Sequence, residues 1–283
     1  MRRCLGILCL VVSMLALTGQ NAGAQSTLER AKKDGIIRMG FANEAPWSFA
    51  QTDGTIVGAD HDLAVLVFSR LGIPKIEGVL TKFGSLIPGL KADRFDVIVA
   101  GLYIRPERCR QVAFSEPTAA VGDAVVVLAG NPKKITGFKS VVDDPSAKLG
   151  GVVGAATAQN ARTAGVPDSQ ITMFPDFVSA VVALKAGRVD GALQTAITAQ
   201  TTVDADPALA RASPFQQAII NGKPAVNYAA FAFRPEDHDL VQVFNAELAK
   251  ILGTPEYLAM VAKYGLTANE VPKGVTTEQL CGQ

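Results

Sequence analysis

The stretch FGSLIPGLKADRFDVIVAGLYIRPERCRQVAFSEP, residues 83–117, decides how the chain is read. Leu86, Ile87 and Leu90 recur at helical spacing, so the pattern predicts a short amphipathic helix over 85–92, left through Asp93 and Arg94. Val97-Ile98-Val99-Ala100 is an unbroken apolar run ending at Gly101, the composition of a strand covered on both faces, as in a parallel sheet. In open α/β sheets a ligand sits outside the carboxyl ends of the strands. Leu102, Tyr103 and the loop Arg105-Pro106-Glu107-Arg108 follow such an end, which makes Tyr103 and Arg108 candidate ligand groups by position alone.

Working outward, the spacing predicts a helix over 27–34 stopped by Gly35 and a strand over 36–41. That strand delivers the loop Asn43-Glu44-Ala45-Pro46-Trp47 to the same sheet edge as Tyr103. Asp53-Gly54 is a hairpin signal, and 61–71 reads as an amphipathic helix ending at Gly72. Further on, 148–153 reads as a strand, and Gly154-Ala155-Ala156-Thr157 opens a helix whose first amides are free to take an anion. A helix over 177–186 and a strand over 189–194 echo the order of the opening stretch, which predicts two lobes of similar α/β build. After the return strand 227–233, helices are expected over 240–252 and 255–264. The crossings near 117–122 and 227–231 are expected to act as hinges.

With 48% apolar and 19% charged residues, the composition is that of a globular protein. Arg2-Arg3, an apolar segment from Leu5 to Leu17 and Ala22-Gly23-Ala24 form an export leader over 1–24, with no lipobox cysteine. Removing Arg2 and Arg3 from the 27 basic residues leaves them one short of the 26 acidic ones, and no basic patch points to nucleic acid. Of four cysteines, Cys4 and Cys9 leave with the leader. Cys109 and Cys281 then remain in an oxidising compartment, where a disulfide is the default and two unrelated thiols the alternative. Neither His61 nor His238 stands in a catalytic pattern or a metal spacing such as H-E-x-x-H, so no cofactor and no metal is expected.

Gly101-Leu102, Pro106-Glu107-Arg108 and Phe114-Ser115-Glu116-Pro117 resemble the solute-binding proteins of bacterial ABC importers for polar amino acids. Through 43–47, 83–90 and 100–109 the resemblance is closest to their ectoine/hydroxyectoine-binding branch. It implies a periplasmic binding protein-like fold: lobe one from 25–119 and 229–283, lobe two from 120–228, and a ligand in the cleft. It implies a monomer in the periplasm that hands a small zwitterion to an ABC permease in the inner membrane. Arg108 matches the arginine that grips the ligand carboxylate, bidentate through its planar fork. Trp47, Phe83 and Tyr103 resemble the family's aromatic box, whose faces would attract a delocalised cation by about 0.5–2 kcal/mol each. Glu44 resembles the acidic partner of the ligand's ring nitrogens, and Arg105 is expected to face solvent.

The pattern weakens in the second lobe. Family members present a Gly-Thr or Gly-Ser-Thr loop where this chain has Gly154-Ala155-Ala156-Thr157, so backbone amides and Thr157 are expected to serve. Where binders of ordinary α-amino acids place an Asp for the ammonium, the strand ends Leu193-Gln194-Thr195, which points away from such a ligand and makes Gln194 a candidate contact. Two alternatives stay open: a binder of a polar or cationic amino acid, and a cyclohexadienyl dehydratase-like enzyme. The plain reading of the three aromatics is as core, that of Arg108 as a surface ion pair with Glu107 or Glu116, and that of Glu44 as a turn carboxylate.

Overall fold

The computed structural model describes residues 25–220 and 222–282, so the expected leader, 1–24, lies outside the described residues. Two sheets organise the chain. The first runs in the order Lys75–Leu80, Ile36–Phe41, Val97–Tyr103, Asn227–Phe233 and Ala113–Phe114, with Ala119–Val121 also pairing with Asn227–Phe233. The second runs Ile171–Phe174, Leu149–Val152, Gly191–Thr195, Asp123–Leu128 and Leu209–Arg211. Each places three parallel strands beside one antiparallel strand that follows a crossing. That recurrence gives the two lobes their similar build.

Burial explains the strand choice. Every residue of Val97–Tyr103 is buried, as its apolar run requires, whereas the edge strand Lys75–Leu80 carries an exposed Lys75–Glu77 ion pair at 2.8 Å. The first lobe closes its core with the C-terminal part of the chain: Phe244, on helix His238–Ile251, meets Phe68, Phe231 and Phe233 at centroid distances of 5.3, 5.1 and 5.3 Å. Asp96 ties further segments together, accepting from the backbone N–H of Arg38 at 2.9 Å and pairing with the guanidinium groups of Arg30, Arg38 and Arg234. The second lobe packs Val125, Val127, Leu149 and Leu193 against Phe138.

The central strand bends where the site lies. Across the ladder Ala230 faces Leu102, but Ala232 faces Ile98, so Val97–Tyr103 bulges around Gly101. Gly101 has φ +58°, and a Cβ there would stand 2.8 Å from the Trp47 ring. Glycine satisfies both demands.

The sheets exchange chain through a two-stranded ribbon, Ala119–Val121 against the first residues of Asn227–Phe233, so sheet membership changes slightly to the second-lobe side of the expected boundaries. Several elements had no counterpart in the sequence reading: the edge strand Lys75–Leu80, helix Ala196–Asp204 and the terminal helix Thr277–Cys281. The last is held by the Cys109–Cys281 disulfide and by Thr277, which donates through Oγ1 to the Ser115 carbonyl at 2.6 Å.

Because that bond closes a loop of 172 residues, the double Cys109→Ser, Cys281→Ser variant is expected to lose roughly 3–5 kcal/mol, mainly through a freer unfolded chain. Chemical denaturation of both proteins measures it; equal midpoints would remove the tether from the account of stability.

Candidate functional site

Seven elements meet between the lobes. From the first lobe, the turn after Ile36–Phe41 brings Glu44 and Trp47, the one-turn 3-10 helix Phe83–Ser85 brings Phe83, and the central strand ends in Tyr103. Arg108 stands on the single-turn helix Pro106–Cys109, 8% exposed, and its guanidinium donates to the Tyr103 carbonyl at 2.8 Å and to the Gly154 carbonyl of the second lobe at 2.7 Å. The second lobe adds the start of helix Ala156–Thr163, Phe177 on helix Phe177–Lys185, and Thr195 at the end of Gly191–Thr195. Gly154, at φ +82°, lies so close to Gly84 that a Cβ would fall 2.6 Å from its Cα, which lets the two backbones touch.

The space left between them is small, a cavity of about 10 Å³. The first lobe lines it with Glu44, Phe83, Gly101, Tyr103 and Arg108, the second with 155–157, Phe177 and Thr195. Phe83 and Phe177 meet edge to face across the cleft, centroids 5.9 Å apart at 87°, and the Arg108 guanidinium lies 6.0 Å from the Phe83 centroid. Two buried hydroxyls on this wall, Tyr103 OH and Thr157 Oγ1, have no partner within the described protein. Buried polar groups are rarely left so, and here both border the space where a ligand would lie.

Of the residues singled out in the sequence, Glu44, Phe83, Tyr103, Arg108 and Thr157 line this cavity, and Gly154 borders it through its carbonyl. Trp47 does not. Its ring is fully buried behind the wall against Gly101, and its Nε1–H donates to Thr198 Oγ1 at 3.1 Å. Gln194 faces the opposite side of its strand, accepting from Thr202 Oγ1 at 3.0 Å, and the next residue, Thr195, borders the cavity. Arg105 departs from its expectation of facing solvent. It is half-buried and donates to Asn160 of the second lobe and to Asn227 at 2.7 Å, because both asparagines also hold the buried Asp123. Phe177, Thr195 and Thr198 were missed. Thr195 did carry a signal, as the threonine that caps Ala196–Asp204 by accepting from the Thr198 amide.

The model for bacterial extracellular solute-binding proteins, family 3, matches residues 37–267, most of the chain. The chain belongs to that family. A "probable amino-acid ABC transporter periplasmic-binding protein" of Sinorhizobium fredii is 36% identical over 271 residues, covering 94% of this chain and 89% of the relative. The crystal structure of EhuB in complex with hydroxyectoine superposes with a TM-score of 0.80 at 33% identity, covering 90% of this chain and 97% of that one. A cyclohexadienyl dehydratase of Pseudomonas aeruginosa is 27% identical over 193 residues, 68% of this chain and 71% of the relative. This solute-binding protein therefore has the mixed α/β, two-lobed fold of its family and serves an amino-acid-type ABC transporter. No helix among the described residues is long and apolar enough to cross a membrane.

Among the described residues, the two ionisable groups on the cavity wall of this solute-binding protein have no partner of opposite charge. Arg108 has no carboxylate partner, and burial, with Arg105 nearby, pulls its pKa down to about 10. Glu44, 3% exposed, has no cation partner; burial pushes it up to about 8, against the hydrogen bond from Thr198, and Asp60 adds to the rise. Asp60, held by the Gly101 N–H at 2.7 Å, is itself pushed up by burial to about 7.

A carboxyl whose folded pKa exceeds its unfolded value costs stability as pH rises from the ordinary value of 4.5 through about 8. Glu44→Gln, which still accepts from Thr198, is therefore expected to raise the stability of the unliganded protein by a few kcal/mol above that window and to leave it nearly unchanged at acid pH. Melting curves across pH check this, and a constant difference between the two proteins at all pH would contradict it.

Proposed function

We propose that this chain captures ectoine, 5-hydroxyectoine or a closely similar small zwitterion in the periplasm and presents it to an ABC permease for import. The observation that carries this reading is a pair of groups on one cavity wall without counter-charges among the described residues: a guanidinium with no carboxylate and a carboxyl with no cation. Burying either alone costs several kcal/mol, and a ligand with both signs of charge offsets both costs at once. Arg108 would take the ligand carboxylate and Glu44 the protonated ring nitrogens. Phe83, Phe177 and Tyr103 would present rings to the delocalised cation. Tyr103 OH, Thr157 Oγ1 and the first amides of Ala156–Thr163 supply further polar contacts, and Trp47 backs the wall through Gly101 rather than forming its surface. The hydroxyectoine complex of the structural relative agrees with this chemistry.

The second reading, a polar or cationic amino acid, is favoured by the Sinorhizobium fredii relative. Against it, Thr195 rather than a carboxylate closes the second-lobe end of the cavity. A dehydratase-like activity draws on one distant relative, and the cavity's polar groups are accounted for as ligand contacts.

Calorimetry with ectoine, 5-hydroxyectoine, L-arginine and L-glutamine is expected to rank the two ectoines first. Arg108→Lys should weaken them about tenfold or more with little change in melting temperature, since lysine keeps the charge and loses the fork. Phe177→Ala should cost roughly two- to thirtyfold. Tighter binding of arginine would transfer the assignment to amino acids, unchanged affinity in folded Arg108→Lys would remove the carboxylate clamp, and turnover of a cyclohexadienyl acid would make the protein an enzyme.

A further inference from the structure

Thr198 does not line the cavity, yet three hydrogen bonds meet at its hydroxyl and two of them reach across the cleft. It sits in the first turn of Ala196–Asp204, 3% exposed. Its Oγ1 lies 3.1 Å from Trp47 Nε1, 2.9 Å from Glu44 Oε1 and 2.9 Å from Thr195 Oγ1. An indole nitrogen only donates, so Thr198 accepts from Trp47. A hydroxyl has a single proton, so only one of the other two contacts is a donation. Ionised Glu44 only accepts, and the Thr198 proton then goes to it while Thr195 donates into Thr198. A protonated Glu44 can accept from Thr198 through its carbonyl oxygen or donate its own proton into Thr198, and in the second case the chain runs the other way, toward Thr195. Ionised Glu44 therefore fixes the direction of the network, and neutral Glu44 does not.

Glu44 and Trp47 belong to the first lobe, Thr195 and Thr198 to the second, so the network exists only while the lobes are together. Trp47 packs its ring on Gly101, which lines the cavity. One hydroxyl therefore fixes both a carboxylate on the ligand wall and the ring behind that wall. We propose that Thr198 is the second lobe's positioning residue for ligand capture, orienting Glu44 toward the ligand and locking Trp47 behind Gly101 when the cleft closes. This rests on the reading of Glu44 as the partner of a ligand cation.

Other charged or titratable groups also face Glu44 or border it. They are Asp60 on helix Ala59–Arg70, Tyr103 on the central strand, Arg108 on Pro106–Cys109, and the Lys185–Asp206 pair in the groove that adjoins Glu44 on its other side. Asp60 opposes ionisation of Glu44, and the Thr198 hydrogen bond favours it. Replacing Thr198, like replacing the neutral Tyr103, changes no formal charge, and Thr198 is the one that bonds Glu44 directly.

Thr198→Val keeps the shape and removes the hydroxyl; Thr198→Ser keeps the hydroxyl. In calorimetry with ectoine, the valine variant is expected to bind roughly tenfold more weakly near neutral pH, and the pH at which its affinity levels off should move upward, since the bond that favours ionised Glu44 is gone. The serine variant should restore both. Trp47 is the only tryptophan in the chain, so a single indole N–H resonance reports the same contact. That resonance should move upfield in ligand-saturated Thr198→Val and stay in place in Thr198→Ser. A purely structural threonine would lower the melting temperature and leave the pH profile and the indole signal where they are, and that result overturns the proposal. If wild-type protein does not bind ectoine, the ligand assignment alone falls, because the unliganded proteins carry their own test. The loss of stability with rising pH should extend further into the alkaline range in Thr198→Val than in wild type, and parallel curves would overturn the role of Thr198.

Discussion

Keeping a guanidinium and a carboxylate in one closed space without pairing them is the constraint on which the rest of this structure depends. Among the described residues, the Arg108 side chain donates only to carbonyl oxygens, one from each lobe, and the Glu44 side chain accepts only from the Thr198 hydroxyl. Either charge left without a counter-charge is expensive away from water. Each is therefore held by neutral hydrogen-bonding groups that orient it and leave its charge available. The rings of Phe83 and Phe177 give the space apolar walls, and a low local dielectric strengthens whatever electrostatic attraction a ligand brings.

This arrangement needs two lobes, because neither alone supplies a complete shell. The glycines at the meeting line make the approach possible: Gly84 and Gly154 allow backbone contact between lobes, and Gly101 lets the Trp47 ring lie flat behind the cavity. A second polar cluster stands at the crossings. Asp123, at the start of a crossing strand, accepts from Asn160 and Asn227, and Arg105 donates to both asparagines. Burial pushes Asp123 up to about 6, against the pull of Asn160 and the Arg105 charge. Ribbon and cluster join the lobes at few backbone positions, a geometry suited to rotation of two packed bodies rather than refolding of either.

The two-lobed form also explains why the last part of the chain is spent on the first lobe. Helix His238–Ile251 completes the aromatic core around Phe244, and the terminal helix Thr277–Cys281 is bonded through Cys281 to the residue beside Arg108. The short helix Pro106–Cys109 is too brief to be stable by itself. Its place is secured by the disulfide at one side and by the bonds of Arg108 at the other.

By itself the sequence determined the alternation of strands and helices, the covered central strand, the cysteine pair and part of the cavity wall. Those features rest on local signals: an unbroken apolar run, glycine stops, an expected leader that would leave two cysteines, and the position of Tyr103 and Arg108 after a strand end. Only the tertiary structure decided which side chains face the cavity. Trp47 and Phe177 are both aromatic, and nothing in the order of residues says that one lies behind Gly101 while the other meets Phe83 from the opposite lobe. Gln194 and Thr195 are adjacent polar residues, and which one borders the cavity depends on where the strand ends and the helix cap begins. Arg105 reads as a loop arginine until Asn160 and Asn227, far along the chain, are brought to it. Thr198 carries no sequence signal at all for reaching Glu44, 154 positions away. Contacts of that kind are made where two lobes meet, and a local pattern holds no record of the partner that packing will supply.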